Sequence, residues 1–439
     1  MLAEDTIAAI STPPGEGAVA VIRISGPDAV TIAGKIFKGR RPVAEAAART
    51  FYFGSFENAG ERVDEGLLAV FRAPHSYTGE NLVELHGHGG VLVAAKLLEA
   101  VLKAGARAAE PGEFTQRAFV NGKMDLTQAE AVMDVIRART PLALRAAGAQ
   151  LEGRLGKAVE GLRDRVLQIV AHVEAYIDFP EEGIDPRVGQ QMIADIDSII
   201  SSIDQLLGTA NEGRILREGV RLVLCGEPNA GKSSLLNRLL GFERAIVSPT
   251  PGTTRDTLEE FASLRGIPFR ITDTAGLRET DDLIEREGVE RAKRAIASAD
   301  IVVRVIDITA DHPPAIEPGE IVAMNKTDLA AAPELPDSIA ISCHTGTGID
   351  ALVEAIVSRA RGGLSSAPTG AAINARHQAC LTKAREQLGE AARELRADAP
   401  PEIAATHLRE ALDAIGEIVG RADVEEILGR IFSTFCIGK

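Results

Sequence analysis

The octet Gly226-Glu-Pro-Asn-Ala-Gly-Lys-Ser233 follows directly on the apolar run Val220 to Cys225 and matches the phosphate-binding P-loop at every fixed position. Glycines let backbone N–H groups curl around phosphate oxygens, Lys232 reaches the β and γ phosphates, and the Ser233 hydroxyl suits magnesium. Asn229, Ala230, Gly231 and Ser234 complete the candidate phosphate site, and a helix expected over 232–240 points its positive end at the same anion. Downstream, Asn325-Lys326-Thr-Asp328 closes an apolar strand over 321–324. A carboxylate at Asp328 accepts from the guanine N1–H and 2-amino group, an edge that adenine lacks. Asp273-Thr274-Ala275-Gly276 ends a strand over 268–272, where an Asp reaches magnesium through water and a Gly amide meets the γ-phosphate. Gly252-Thr253-Thr254-Arg-Asp256 offers Thr254 as a second magnesium ligand from a mobile loop, and Ser342-Cys343, after a strand over 339–341, supports the guanine ring.

Five motifs in the right order along the chain, each at a strand end, resemble the translational-type GTPases over about residues 217–361. One position departs from Ras-like proteins, which carry a glutamine just after the Asp-x-x-Gly motif to orient the attacking water. This chain has Leu277 there, and leucine holds no water. Either a partner is needed, or a polar residue of 278–288 takes over; Glu279, Asp281, Asp282, Glu285 and Glu287 are the candidates, and a merely solvated acidic loop is the simplest alternative.

These strands and loops account for only part of 439 residues. About 215 residues precede the nucleotide domain and about 75 follow it, enough for at least one more domain. Residues 1–122 alternate short β-rich runs with turn residues: strands are expected over 19–25, 50–56, 65–71 and 81–86, helices over 29–36 and 90–104, hence a compact α+β domain. His86 and His88 lack a third nearby ligand, so strand alternation explains them as well as a metal does. From Leu126 to Tyr176 and again over 190–211 the texture is Ala, Leu, Glu and Arg at helical spacing, and it returns over 371–395, 401–418 and 424–432. The economical arrangement is one helical domain made from residues 123–213 and 365–439, with a Ras-like P-loop α/β domain over 214–364 inserted and a Gly, Ser and Pro-rich return linker over 359–369.

The formal net charge of −15 excludes a general attraction to nucleic acid or membrane, so RNA contact requires a local basic patch or a partner. Cys225, Cys343, Cys380 and Cys436 are scattered without metal spacing, which reads as reduced and cytoplasmic. No signal peptide or apolar stretch of transmembrane length is present. The end, Phe435-Cys-Ile-Gly-Lys439, approaches a prenylation box, but Gly438 breaks it.

Together these features resemble the bacterial tRNA-modification GTPases of the MnmE/TrmE type. The similarity runs through Asp5-Thr-Ile7, Thr12-Pro-Pro-Gly15, Arg23-Ile-Ser-Gly26, Tyr77-Thr-Gly-Glu80, Gly87-His-Gly-Gly90, Pro111-Gly-Glu-Phe114, Arg117-Ala-Phe119, the GTPase motifs and the terminal Phe435-Cys-Ile-Gly-Lys439. The resemblance implies a dimerising N-terminal domain that binds a 5-formyl- or 5,10-methylene-tetrahydrofolate through Arg23, Glu84, Lys123 and Lys439, with Cys436 a functionally important thiol. It implies G domains that dimerise around potassium held by Asn229 and the segment 248–253, namely Ser248, Pro249, Thr250, Pro251, Gly252 and Thr253; the two prolines depart from many relatives. It places the water-positioning acid on Glu285. The implied activity is GTP hydrolysis coupled, with the FAD-containing partner MnmG, to aminomethyl or carboxymethylaminomethyl modification of the wobble uridine of certain tRNAs. A GTP-switched ribosome-assembly factor would carry similar GTPase motifs, but such factors usually append a basic RNA-binding domain, which this acidic chain lacks.

Overall fold

A computed structural model describes residues 5–178, 187–242, 259–273, 290, 293–310, 316–333, 335, 338–362, 372–397, 399–421 and 425–439. The chain divides into two compact units, Met1–Met133 with Gly416–Lys439, and Asp134–Ile415.

The first unit is built on a seven-stranded sheet of β1 (Ile7–Ile10), β2 (Val19–Ser25), β3 (Phe37–Gly39), β4 (Phe51–Asn58), β5 (Glu61–Phe71), β6 (Leu82–His88) and β7 (Arg107–Ala108), in the order β3-β4-β5-β6-β2-β1-β7. Only the short β1–β7 pair is parallel. Ala59 and Gly60, both at positive φ, form the two-residue turn between β4 and β5 that antiparallel hairpins favour. Alternation decides the faces: Ile22, Ile24, Leu68, Val70, Val83 and Leu85 point to a core under helices α1 (Ala29–Ile36) and α2 (Val91–Lys103). Arg23 and Glu84, directly paired across β2 and β6, stand on the other face.

Helix α3 (Glu113–Val120) and the first turns of α4 (Leu126–Arg137) extend this unit. Leu126, Ala129 and Met133 form a small core with Leu428, Phe432 and Phe435 from α13 (Glu425–Ser433) and the residues after it. The tail is then stitched down: Ile437 bridges Pro111, and the Phe114 amide donates to the Lys439 carbonyl at 3.2 Å.

The second unit combines helices with a six-stranded sheet. In α6 (Arg154–Asp178), Leu155, Val159, Leu162, Val166, Ile169 and Val173 recur at three- and four-residue spacing and are buried, as an amphipathic stripe requires. α7 (Arg187–Leu207) lies against α11 (Ala375–Arg396), an alignment supported by the Asp204–Arg385 and Asp197–Arg396 pairs. Arg409 of α12 (Pro401–Val419) pairs with Glu174 of α6. Thr140, with Pro141 next to it, caps α5 (Pro141–Leu151), and Asn374 with His377 forms a capping box on α11, each cap contributing about 1 kcal/mol. The helical stretch expected from Leu126 to Tyr176 with few breaks has two, around residues 138–140 and 152–153, and a short break at Gly208 and Thr209 separates α7 from α8 (Ala210–Glu218). The expected linker begins later than its composition indicated, because Arg359 to Arg361 complete helix α10 (Ile349–Arg361).

The sheet contains β8 (Val220–Cys225), β9 (Glu259–Leu264), β10 (Ile267–Asp273), β11 (Ile301–Asp307), β12 (Ile321–Asn325) and β13 (Ser338–Ala340), in the order β13-β12-β11-β8-β10-β9. All pairs are parallel except β9–β10. Its inner strands are continuous apolar runs because helices such as α9 (Lys232–Leu240) and α10 cover them. Such a sheet presents ligands at the carboxyl ends of its strands. The P-loop, Asp273, Asp307, Asn325 and Ser342 all lie there.

Candidate functional site

After β8 the backbone turns tightly. Gly226 has φ +145°, and a Cβ there would lie 2.2 Å from the Val305 carbonyl oxygen; Gly231 has φ +98°, and its Cβ would lie 2.1 Å from Asn325 Nδ2. Asn229, exposed at φ +61°, occupies the left-handed region that asparagine tolerates better than most residues. The Lys232 ammonium folds into the loop, donating to the Gly226 and Glu227 carbonyls at 3.0 and 2.7 Å. Gly231 caps α9 without a side chain, so no side chain competes with an anion for the first-turn amides. Next to Lys232, Ser233 Oγ donates to Asp273 Oδ2 at 2.7 Å, while Ser234 is exposed.

The Asn325-Lys-Thr-Asp328 segment, the candidate base-recognition motif, is wired to this loop. Buried Asn325 donates from Nδ2 to the Ala230 carbonyl at 2.9 Å and accepts at Oδ1 from the Cys343 amide at 3.0 Å. Arg238, on α9, donates to the Cys343 and His344 carbonyls at 2.9 and 2.6 Å. Ser342 Oγ donates to Asp328 Oδ1 at 2.6 Å, leaving the exposed carboxylate with acceptor capacity; this bond, with smaller help from His344 and Lys326, holds it below the usual carboxylate range. Lys326, at φ +72°, pairs with Asp307. Burial pushes the Asp307 carboxyl up, but bonds from Lys326 and Thr309 outweigh that and lower it. Burial pushes the Cys343 thiol up, so this residue meets a ligand as a neutral, weakly polar surface.

Ser248, Pro249, Thr250, Pro251, Gly252, Thr253 and Thr254, together with Thr274, Ala275, Gly276, Leu277 and Glu285, lie outside the described residues.

A second constellation lies in the first unit. Arg23 donates to Glu84 Oε1 from Nε at 3.1 Å and from Nη2 at 2.8 Å, and its guanidinium stands 5.4 Å from the Tyr77 ring centre and 5.8 Å from that of Phe114. His86 Nε2 lies 3.4 Å from Glu84 Oε2, within ion-pair range but outside hydrogen-bond geometry. His86 and Arg23 together hold Glu84 low against the opposing effect of burial. Phe114 links this pair to the tail, because its amide holds the Lys439 carbonyl. Lys123 is engaged elsewhere, donating to the Pro74 carbonyl at 3.0 Å, and the Cys436 side chain is exposed. His88 bonds to Asp64, and no cluster of metal-binding side chains occurs among the described residues.

The motifs around Asp5, Glu80, Glu113 and Arg117 had no role assigned from residue types, because their partners are distant in sequence. Arg117, 2% exposed, bonds Asp5 at 2.6 Å, Glu113 at 3.0 Å and Glu80 at 3.2 Å, and Arg107 also pairs with Asp5 and Glu113. The motif spacing signals that these residues matter, but not that they converge.

The sequence pattern of the MnmE helical domain matches residues 126–436, and that of the GTP-binding protein TrmE N-terminus matches residues 6–123. The tRNA modification GTPase MnmE of Aquifex aeolicus (strain VF5) is 45% identical, with 99% of this chain and 100% of that protein covered. That of Akkermansia muciniphila is 46% identical, covering 99% of each. Among solved structures, the G domain of the T. maritima FeoB iron transporter is 27% identical over 32% of this chain and 98% of that one, at a TM-score of 0.25.

Proposed function

The chain belongs to the MnmE family of tRNA modification GTPases and is a GTP hydrolase of tRNA modification; from that premise we propose a potassium-dependent homodimer that acts with the FAD-containing partner MnmG. Its product is an aminomethyl or carboxymethylaminomethyl uridine at the wobble position of certain tRNAs, with the carbon drawn from 5-formyl- or 5,10-methylene-tetrahydrofolate. The observation that carries the nucleotide reading is Asn325, which ties the guanine motif to the phosphate loop through Ala230.

Within this reading Asp328 accepts from the guanine edge, with Ser342 orienting it and Cys343 flanking the ring. Lys232 and the loop amides bind phosphate. Ser233 and Thr254 are the magnesium ligands; the Ser233–Asp273 pair offers only oxygen donors, which fit a hard cation. Asn229, Ser248, Thr250 and Thr253 would hold potassium, the last three in the segment that also carries Pro249, Pro251 and Gly252. In the motif Asp273-Thr274-Ala275-Gly276 the Gly276 amide would meet the γ-phosphate, and Glu285 would orient the attacking water that Leu277 cannot hold. When bound, the two cations offset charge developing between the β and γ phosphates, and the folate supplies the one-carbon unit.

In the first unit, the Arg23–Glu84 pair beside two aromatic rings fits a pterin with an anionic tail: the carboxylate accepts from the pterin donor edge, and Arg23, Lys123 and Lys439 suit carboxylates. Cys436 lies in the same tail as a functional thiol. Among the described residues no helix is long and apolar enough to cross a membrane, and we place the enzyme in the cytoplasm. Steady-state hydrolysis with Glu285→Ala tests the mechanism. Nucleotide affinity is expected to persist while turnover falls about 10²–10⁴-fold, and exchange of potassium for sodium slows the wild type; undiminished turnover in both experiments overturns it.

A further inference from the structure

The chain carries −15 overall, yet residues 29–56 contain five Lys and Arg against one Glu. We propose that Lys38, Arg40, Arg41 and Arg49, joined by Arg72, dock the phosphate backbone of tRNA beside the Arg23–Glu84 site. The proposal rests on the reading above that this chain acts on tRNA.

Topology brings these residues together. β3 is the sheet edge, and its register of Phe37 with Phe56 and Gly39 with Gly54 runs Arg40 and Arg41 toward the start of β4. Arg49 lies two residues before that start, and its amide bonds the Val70 carbonyl, two residues from Arg72. Arg72 in turn donates to the Ala44 carbonyl at 2.9 Å. Lys38, Arg40, Arg41 and Arg49 are exposed, and among the described residues none of the five has an ion-pair partner. The contrast is within the same unit, where Arg23, Arg62, Arg107 and Arg117 all pair with carboxylates. Protection of a bare sheet edge needs a charge on the edge strand itself, which Lys38 supplies. It does not account for Arg40, Arg41, Arg49 and Arg72, which lie beyond the strand.

The register also brings the cluster near the candidate one-carbon site: Phe51, two residues after Arg49, lies opposite Ala69, which lies opposite Glu84. Arg49 donates to the His75 carbonyl at 3.4 Å, and Lys123 donates to the Pro74 carbonyl at 3.0 Å, so one turn serves both. On this proposal the phosphates flanking a base that receives a carbon there run past this turn. Unpaired arginines and lysines neutralise such phosphates without reading sequence.

The test is binding of a tRNA transcript to the full-length protein across a salt series, by fluorescence anisotropy, for the wild type and a Lys38→Ala, Arg40→Ala, Arg41→Ala variant. Affinity is expected to fall about tenfold or more, and the slope of log affinity against log salt to lessen by about 2, at about 0.7–0.9 per charge removed. Arg40→Lys with Arg41→Lys keeps both charges and should bind as the wild type. GTP hydrolysis and thermal melting should be unchanged in every variant. An unaltered affinity and slope in the alanine variant overturns the proposal, as does lost binding in the lysine variant. So does an effect confined to phosphatidylserine vesicles. A strain lacking the gene separates the two readings: an unchanged tRNA nucleoside profile there defeats the tRNA function itself, whereas a changed profile with unaltered binding defeats only this surface.

Discussion

The Asn325 side-chain amide donates to the Ala230 carbonyl at 2.9 Å, so a residue of the guanine motif is a structural strut of the phosphate loop. Its oxygen meanwhile holds the Cys343 amide at 3.0 Å. Asn325→Ala strands a buried carbonyl and a backbone amide together, a loss of about 1–3 kcal/mol. Both melting temperature and affinity for a fluorescent GTP analogue should drop. A variant with full affinity and an unchanged melt contradicts this arrangement.

On the proposed reading Asp328 makes the opposite kind of contribution, to specificity. Its carboxylate is exposed, and Ser342 holds it in the ionised form. Asp328→Asn replaces an acceptor with a donor on one side, which mismatches the guanine 2-amino group and matches the 2-carbonyl of xanthine. GTP affinity should fall about 10²-fold or more, with xanthosine triphosphate gaining. Competition titrations with the two nucleotides measure the switch, and unchanged guanine preference removes Asp328 from the base site.

The Arg117 network predicts a pH-dependent stability. Hydrogen bonds from Arg107 and then Arg117 hold the Asp5 carboxyl low, and the same two cations hold Glu113 low against its burial. Carboxyls with depressed folded values contribute stability that is fully present above their ordinary range near 4 and is lost as pH falls through the depressed values. Arg117→Met should therefore destabilise by about 3 kcal/mol at neutral pH, and the gap to the wild type should narrow below about pH 4. Denaturant melts at a series of pH values read both effects. A gap independent of pH assigns the loss to packing instead.

Gly438 tests the tail. It has φ +94°, and a Cβ there would lie 2.5 Å from the Ile10 carbonyl oxygen. Gly438→Ala should lift the Cys-Ile-Gly-Lys end off the sheet at a strain of about 1–3 kcal/mol. Faster hydrogen exchange at the Gly112 and Phe114 amides, which bond Cys436 and Lys439, is the expected signature. Unchanged exchange means the tail absorbs the methyl without leaving.

Periodicity made the long elements legible. Ala29–Ile36 and Val19–Ser25 have the bounds expected, and the apolar runs before the P-loop, Asp273 and Asn325 are strands of the second sheet. Short or polar elements were not legible. β1 is four residues with two alanines, β3 and β7 are shorter still, and α3 turns Glu113, Thr115 and Arg117 inward, which masks its amphipathic pattern. Motif spacing pointed to the P-loop and to Asp328, since the chemistry there depends on neighbours in sequence. It had no means to reveal that Arg23 faces Glu84 or that Asn325 reaches Ala230, because register and crossover connections create those contacts.

The most direct test of the central claim is mass spectrometry of nucleosides from bulk tRNA in the source organism, with and without this gene. Loss of aminomethyl-type wobble uridines in the deletion, restored by the wild-type gene but not by one encoding Glu285→Ala, is the predicted result. An unchanged nucleoside profile, in the absence of a second copy of the gene, would contradict the account.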